Sequence, residues 1–207
     1  MKAFHVSFEG TSGSGKSTQA NLLVERLRTY GIHAEYVKNP NGTPFSKSVM
    51  DAILAQHPCE LAEILAFASC FCQTTNELLV PLLKRGVCVV SDRGIGSAYA
   101  HALHRCQGTI SRKLFEQIVS AINRNGSHLF ADITFLLSIR ATRGIARKKD
   151  PSRLDNVSNG SIREAAAYAQ LSREFPNWIT IDANKSVARV AEEVWFHARK
   201  LAERIKQ

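Results

Sequence analysis

The sequence predicts an α/β fold, a five-stranded parallel sheet with helices on both faces, and three observations carry that expectation. Apolar strand-like runs alternate with helical patterns from one end of the chain to the other, the order that builds parallel sheets through helical crossovers. Val87-Cys88-Val89-Val90 is a short, unbroken apolar run, as suits a central strand buried on both faces. Gly10-Thr11-Ser12-Gly13-Ser14-Gly15-Lys16-Ser17-Thr18 stands between a strand-like run and a helical one, a glycine-rich turn where such a fold binds ligands.

Taken in order, residues 3–9 are rich in β-branched and aromatic side chains and read as the first strand. A helix over 16–30 carries Leu23, Leu27 and Tyr30 on one face, and Gly31 ends it. Residues 33–38 form the second strand, and Asn39-Pro40-Asn41-Gly42-Thr43-Pro44 a loop. Helices are expected over 46–55 and, as one long element, over about 59–84. The strand at 87–90 leads into Ser91-Asp92-Arg93, followed by helices over 97–104 and 111–123 with Gly108 between them. Residues 133–137 and 178–181 are the fourth and fifth strands, with a basic segment and a helix over 163–174 between them. The last helix, 187–205, presents Val187, Val190, Val194, Ala198, Leu201 and Ile205 on one face. No linker, repeat or low-complexity tract interrupts this order, so residues 1–207 are read as a single domain.

Composition narrows the partners. A net charge of +9, from 27 Lys and Arg against 18 Asp and Glu, favours anions, whether nucleotides or nucleic acid, although a generally basic surface has the same composition. Five cysteines, an odd and scattered set, are simplest as free thiols in a reducing cytoplasm. His101, His104 and Cys106 invite a metal reading, but ordinary helix-face residues account for them more simply. No leader-like apolar region opens the chain, and no run approaches a membrane-spanning length, so no membrane partner is expected.

The chemistry starts at the glycine loop, whose spacing is that of a phosphate-binding loop. Gly10, Gly13 and Gly15 let the backbone turn and bring N–H groups up to an anion, with Thr11, Ser12, Ser14 and Thr18 completing the cradle. The helix start adds unpaired N–H groups and the positive end of a dipole. Lys16 is placed to reach the β- and γ-phosphates of a bound nucleotide, and the Ser17 hydroxyl to ligate Mg2+. Asp92, after an apolar strand, suits the same metal, with a helix cap or a salt bridge to Arg93 as the structural alternatives. Arg93 can clamp a phosphate through two parallel hydrogen bonds. Residues 140–153 hold six positive charges in fourteen residues, among them Arg147 and Arg153, which fits a basic lid closing over a transferring phosphoryl group. A solvated basic face is the bland reading of that segment, and a nucleic-acid patch is weakened by the lack of interleaved aromatics. Gly94-Ile95-Gly96 has Tyr99 where a third glycine belongs, so it is no dinucleotide fingerprint.

With these residues in view, the chain resembles the thymidylate kinase family of P-loop nucleoside monophosphate kinases. The resemblance runs through Phe8-Glu9-Gly10 and the loop to Thr18, then Pro40-Asn41-Gly42-Thr43-Pro44, similar to the family's P-G-G-T-P. It continues in Ala62-Glu63-Ile64-Leu65 with Phe67, in the stretch 81–86, in Asp92-Arg93 with Ser97, in Arg147 and Arg153, and in Ile181-Asp182-Ala183. It implies a P-loop NTPase fold and Mg2+-dependent transfer of the γ-phosphoryl group of ATP to a nucleoside monophosphate, most simply dTMP, usually by a homodimer. On that footing Lys16 and Ser17 handle ATP and the metal, Asp92 supports the metal, and Arg93 with Ser97 serves the acceptor side. Phe67 stacks on the acceptor base, plain core packing being its alternative, and Arg147 with Arg153 forms a lid over about 140–155.

The departures fall on the acceptor side. Ser12 stands at an acidic family position facing the acceptor sugar, and Phe71 at the arginine that hydrogen-bonds thymine. Lys38-Asn39 replaces R-E, His101 an aromatic, and Ser138 a strand-end aspartate. Losing a charge-assisted hydrogen bond costs about 1.5–3 kcal/mol, enough to weaken thymine selection tenfold or more. Phe67 and Phe71, one helical turn apart, could form an apolar slot for another group. Two alternatives therefore stand beside dTMP phosphorylation: a P-loop kinase of another nucleotide, nucleoside or small metabolite, and a nucleotide-binding protein without catalysis.

Overall fold

The computed structural model describes residues 3–105, 109–124, 130–147 and 158–206. Five strands, β1 (His5–Glu9), β2 (Ala34–Lys38), β3 (Cys88–Asp92), β4 (Ile133–Ser138) and β5 (Trp178–Asp182), pair in the order β2-β3-β1-β4-β5, all parallel. Of the three strands with neighbours on both sides, β3, β1 and β4, the first two are buried at every position, as suits central strands covered by helices. Edge strand β2 is only partly buried.

Register places the strand ends together. Lys38 pairs with Asp92, Phe8 with Asp92, and Ser138 with Asp182, so these carboxyl ends form one edge. The chain steps outward from β1 to β2, returns through β3, and then crosses to β4 on the other side. β1 therefore sits at the switch point, where the loops leaving the sheet diverge and open a crevice.

Alternation along the strands separates two cores. On one face Phe8, Phe135, Leu137 and Ile181 meet Leu23 and Leu27 of α1 (Lys16–Thr29) and Val190, Val194 and Ala198 of α9 (Val187–Lys206). On the other, Leu136 meets α3 (Glu60–Thr74), α5 (Ile95–Arg105), α6 (Thr109–Arg124) and α8 (Ser158–Glu174), through Phe67, Phe71, Tyr99, Phe115, Tyr168 and Leu171.

Several boundaries move for physical reasons. α2 (Pro44–Gln56) starts before residue 46 because Thr43 caps it, its Oγ1 accepting from Ser46 N at 3.1 Å, and Pro44 fills a first-turn position whose N–H would be unpaired anyway. The expected single helix over 59–84 is α3, a π-helical stretch (Thr75–Leu79) and α4 (Val80–Lys84). Pro81 explains the change: its ring would meet the carbonyl of Glu77 in a regular α-helix, and the wider turn, with Val80 N–H on Thr75 O, relieves that clash. The basic segment contains a short helix, α7 (Ala141–Ala146), that no apolar periodicity announced. β3 runs to Asp92, so that carboxylate ends the strand and does not follow it. No described helix is long and apolar enough to cross a membrane, and no group of three or more His, Cys, Asp or Glu among the described residues could hold a metal ion. His101 and His104 meet edge to face at 5.3 Å, and Cys106 lies outside the described residues.

Gly96 locks the start of α5 to the sheet. A Cβ there would stand 2.6 Å from Trp178 Cζ2 and 2.9 Å from Glu9 Oε1. Gly96→Ala is therefore expected to destabilise the fold by about 1–3 kcal/mol through overpacking. Denaturant unfolding reads this directly, and an unchanged midpoint would mean that Trp178 yields freely.

Candidate active site

The loop from Gly10 to Thr18 leaves β1 and enters α1. Gly13 has φ +79°, and a Cβ on it would lie 2.1 Å from Gly144 O, so the loop turns only because it is glycine and because α7 packs directly against it. Gly15 occupies the cap position of α1, with no side-chain cap and no acidic residue in the first turn, which leaves the first N–H groups and the helix dipole for an anion.

Lys16 Nζ donates to the carbonyls of Gly10 and Thr11, both at 2.8 Å. Only 7% of the residue is exposed. Burial, reinforced by the Arg93 charge, pulls its pKa down from 10.5 to about 7 against the opposing pull of Asp92, Glu164 and Glu9. A desolvated ammonium in such a setting gains strongly from a polyanionic partner.

Asp92, at the end of β3, accepts hydrogen bonds from Ser17 Oγ and, at 3.1 Å, from Tyr36 Oη. A hydroxyl and a carboxylate from opposite sides of the crevice thus meet as a hard, all-oxygen donor pair of the kind Mg2+ takes together with phosphate oxygens and water. Burial and the adjacent Asp92 push the Tyr36 phenol above its ordinary range, so it stays a donor.

Arg93 adopts φ +69°, a left-handed conformation uncommon for a residue with a long side chain, held by its N–H on Phe8 O at 3.0 Å and its carbonyl on Asn39 Nδ2 at 3.1 Å. Its Nη1 donates to Ser97 Oγ at 3.0 Å and to Tyr168 Oη at 3.1 Å. Burial opposes its charge, but Tyr168, Glu164, Glu9 and Asp92 outweigh it and raise the pKa, so the guanidinium is charged.

These groups share one cavity of about 530 Å³. Lys16, Ser17, Asp92, Arg93 and Arg147 all line it, though they come from three separate stretches of chain. Its far end is walled by Ala183, Lys185, Val187 and Val190, an apolar floor with a cationic rim that the sequence did not announce as part of a site. Arg143 of the basic segment holds that wall, its Nη1 donating to Asn184 O at 2.7 Å. Arg153 lies outside the described residues. Phe67 and Phe71 are not on this cavity. Phe67 packs against the His101 ring, with centroids 4.4 Å apart, and Phe71 is fully buried in the core. Ser97 sits behind Arg93, its hydroxyl on Glu9, and not on the cavity wall. Tyr36, Tyr168 and Glu9 escaped sequence reasoning as site residues. For Glu9 alone a signal existed, a carboxylate at the end of the first strand and directly before the glycine loop.

A parallel sheet with its phosphate loop at the switch point, a lysine in that loop and an all-oxygen pair beside it together define a P-loop phosphotransferase. Comparison with known proteins narrows the class: the thymidylate kinase family profile matches residues 8–194. A thymidylate kinase of Exiguobacterium sp. (strain ATCC BAA-1283 / AT1b) is 30% identical over 202 residues, 94% of this chain and 93% of the relative. Those of Fervidobacterium nodosum, 30% identical over 91% of this chain and 95% of the relative, and Caldanaerobacter subterraneus subsp. tengcongensis, 32% over 94% of each, are similarly placed. The chain belongs to the thymidylate kinase family.

Proposed function

We propose that the protein transfers the γ-phosphoryl group of ATP to dTMP, yielding dTDP and ADP. The observation that carries this reading is the convergence of Lys16, the Ser17–Asp92 pair and Arg93 on a single cavity at the switch point. The loop N–H groups and Lys16 bind the β- and γ-phosphates, and the apolar floor at Val187 and Val190 takes the donor base. Ser17 and Asp92 would hold Mg2+, which would supply positive charge against that developing on the phosphates. Arg93 holds the acceptor phosphate so that one of its oxygens lies in line with the γ-phosphorus, and Ser97 steadies that arginine. Arg147, on the same cavity, and Arg153 are the lid cations that serve the transferring group, within one kinase domain spanning 1–207.

The acceptor side has a second reading. Phe71, where the family places its thymine-reading arginine, is buried in the core, so no charged side chain at that position reads the base. This favours a broadened acceptor range within the nucleoside monophosphates. An acceptor panel with ATP and Mg2+ decides: dTMP should be phosphorylated with less than the usual discrimination against other monophosphates, and no turnover of any monophosphate would sink the proposal.

Leu61 and Leu65, exposed one turn apart on α3, with Leu54 on α2, support a homodimer through this face. Free thiols at Cys59, Cys70, Cys72 and Cys88 support a reducing cytoplasm as its setting.

A further inference from the structure

From the network behind Arg93 we infer that Glu9 is a positioning residue for the acceptor phosphate: its carboxylate sets the direction of the hydrogen bonds so that the Ser97 and Tyr168 hydroxyls both accept from Arg93. The inference rests on the reading of Arg93 as the acceptor-phosphate clamp. Glu9 ends β1 and has no exposed surface. Its Oε1 accepts from Gly94 N at 2.8 Å and Ser97 N at 3.0 Å, and its Oε2 from Ser97 Oγ at 2.5 Å and Tyr168 Oη at 3.3 Å.

An ionised carboxylate only accepts, whereas each hydroxyl has one proton and two lone pairs. With the Ser97 proton committed to Glu9, the lone pairs of that oxygen are left for Arg93 Nη1 at 3.0 Å. Tyr168 Oη, 2.9 Å from Ser97 Oγ, turns its proton toward the Ser97–Glu9 side and accepts from the same Nη1 at 3.1 Å. Arg93 is thereby tethered at one nitrogen while the side chain still lines the cavity. The two N–H bonds on Oε1 also tie the start of α5, and hence Ser97, to the end of β1.

The charged and titratable groups facing Glu9 and its partners are Asp92 at the end of β3, Arg93 just after it, Lys16 of α1, and Tyr168 and Glu164 of α8. Burial favours the neutral acid, while Ser97, Arg93, Gly94 and Lys16 favour the anion. The balance lies at about 7, up from 4.5. Below that pH a protonated Glu9 becomes a donor itself, and one hydroxyl must turn its proton toward Arg93. Acceptor binding is therefore lost as the pH falls through neutrality.

The test is Glu9→Gln, which keeps the shape and places a permanent donor where the carboxylate was. KM for dTMP should rise roughly tenfold, the scale of a lost charge-assisted hydrogen bond, with KM for ATP unchanged. The rise of the wild-type acceptor KM toward acid pH, compared at each pH with the variant so that titration of the substrate phosphate cancels, should flatten. An unchanged acceptor KM, or an equal rise for ATP, overturns the inference. Nitrogen NMR of the nucleotide-free protein provides a readout independent of any substrate. The Arg93 guanidinium should rotate slowly in the wild type and freely in the variant, and restricted rotation in both overturns the inference even if dTMP turnover is present. If the wild type turns over no monophosphate, the kinase reading fails while this NMR comparison still decides the role of Glu9. Tyr168→Phe, which removes one acceptor and little volume, repeats the comparison if Glu9→Gln does not fold; Arg93 as restricted as in the wild type would then count against the inference.

Discussion

Replacing Lys16 by methionine is expected to cut phosphoryl transfer by about 10²–10³-fold, the scale of removing one preorganised charge from a transition state, and to stabilise the nucleotide-free protein. Both effects have one origin. The ammonium is nearly buried and its pKa is depressed from 10.5 to about 7, so the folded state disfavours the charge that ATP needs. The sign follows from linkage: a depressed group contributes stability above its unfolded pKa, and that stability is lost as the pH falls through the folded value. The penalty thus grows from about pH 10.5 down to about 7 and is complete below it. At about 1.4 kcal/mol per unit it amounts to several kcal/mol, offset in part by the bonds to Gly10 O and Thr11 O that methionine forfeits. Thermal melts across pH would show the variant gaining most below pH 7. A variant melting lower than the wild type at pH 6 would mean that those two bonds outweigh burial.

Asp92→Asn should lower kcat by a comparable about 10²–10³-fold and raise the Mg2+ concentration needed for half-maximal rate at least about tenfold. The amide oxygen can still accept from Ser17 or Tyr36, so the fold should hold and the loss should lie in the chemistry. Titration of activity with Mg2+ separates the roles. If the rate falls without any change in metal dependence, Asp92 serves to anchor Ser17 and Tyr36 and does not support the ion.

Strands β3, β4 and β5 were legible because four or five consecutive apolar or β-branched residues are a local signal, and the errors were at polar ends. Ser91 and Asp92 stay extended because β1 and β2 pair with them on either side, which no run of hydrophobicity records. The break at Thr75–Leu79 was concealed by a helical pattern continuous through Pro81. α7 escaped because a six-residue helix has no room for amphipathic repetition, and it is held by packing of Gly144 against the phosphate loop.

The donor loop could be written down from nine consecutive residues, because a cradle of backbone N–H groups at a helix start is local chemistry that needs no distant partner. Ser17 and Asp92 could be named singly for the same reason, each residue type being matched to its task. Their meeting, with Tyr36 closing on the same carboxylate, depends on sheet register across 75 and 56 residues. The same holds for Glu9, Ser97, Tyr168 and Arg93, four side chains from β1, α5, α8 and the β3–α5 turn whose hydrogen bonds form only once β1 lies between β3 and β4. Phe67 and Phe71 carry the complementary lesson. An aromatic pair at helical spacing suits a slot and a core equally well, and packing of α3 beneath the sheet sends Phe71 to the core and Phe67 against His101.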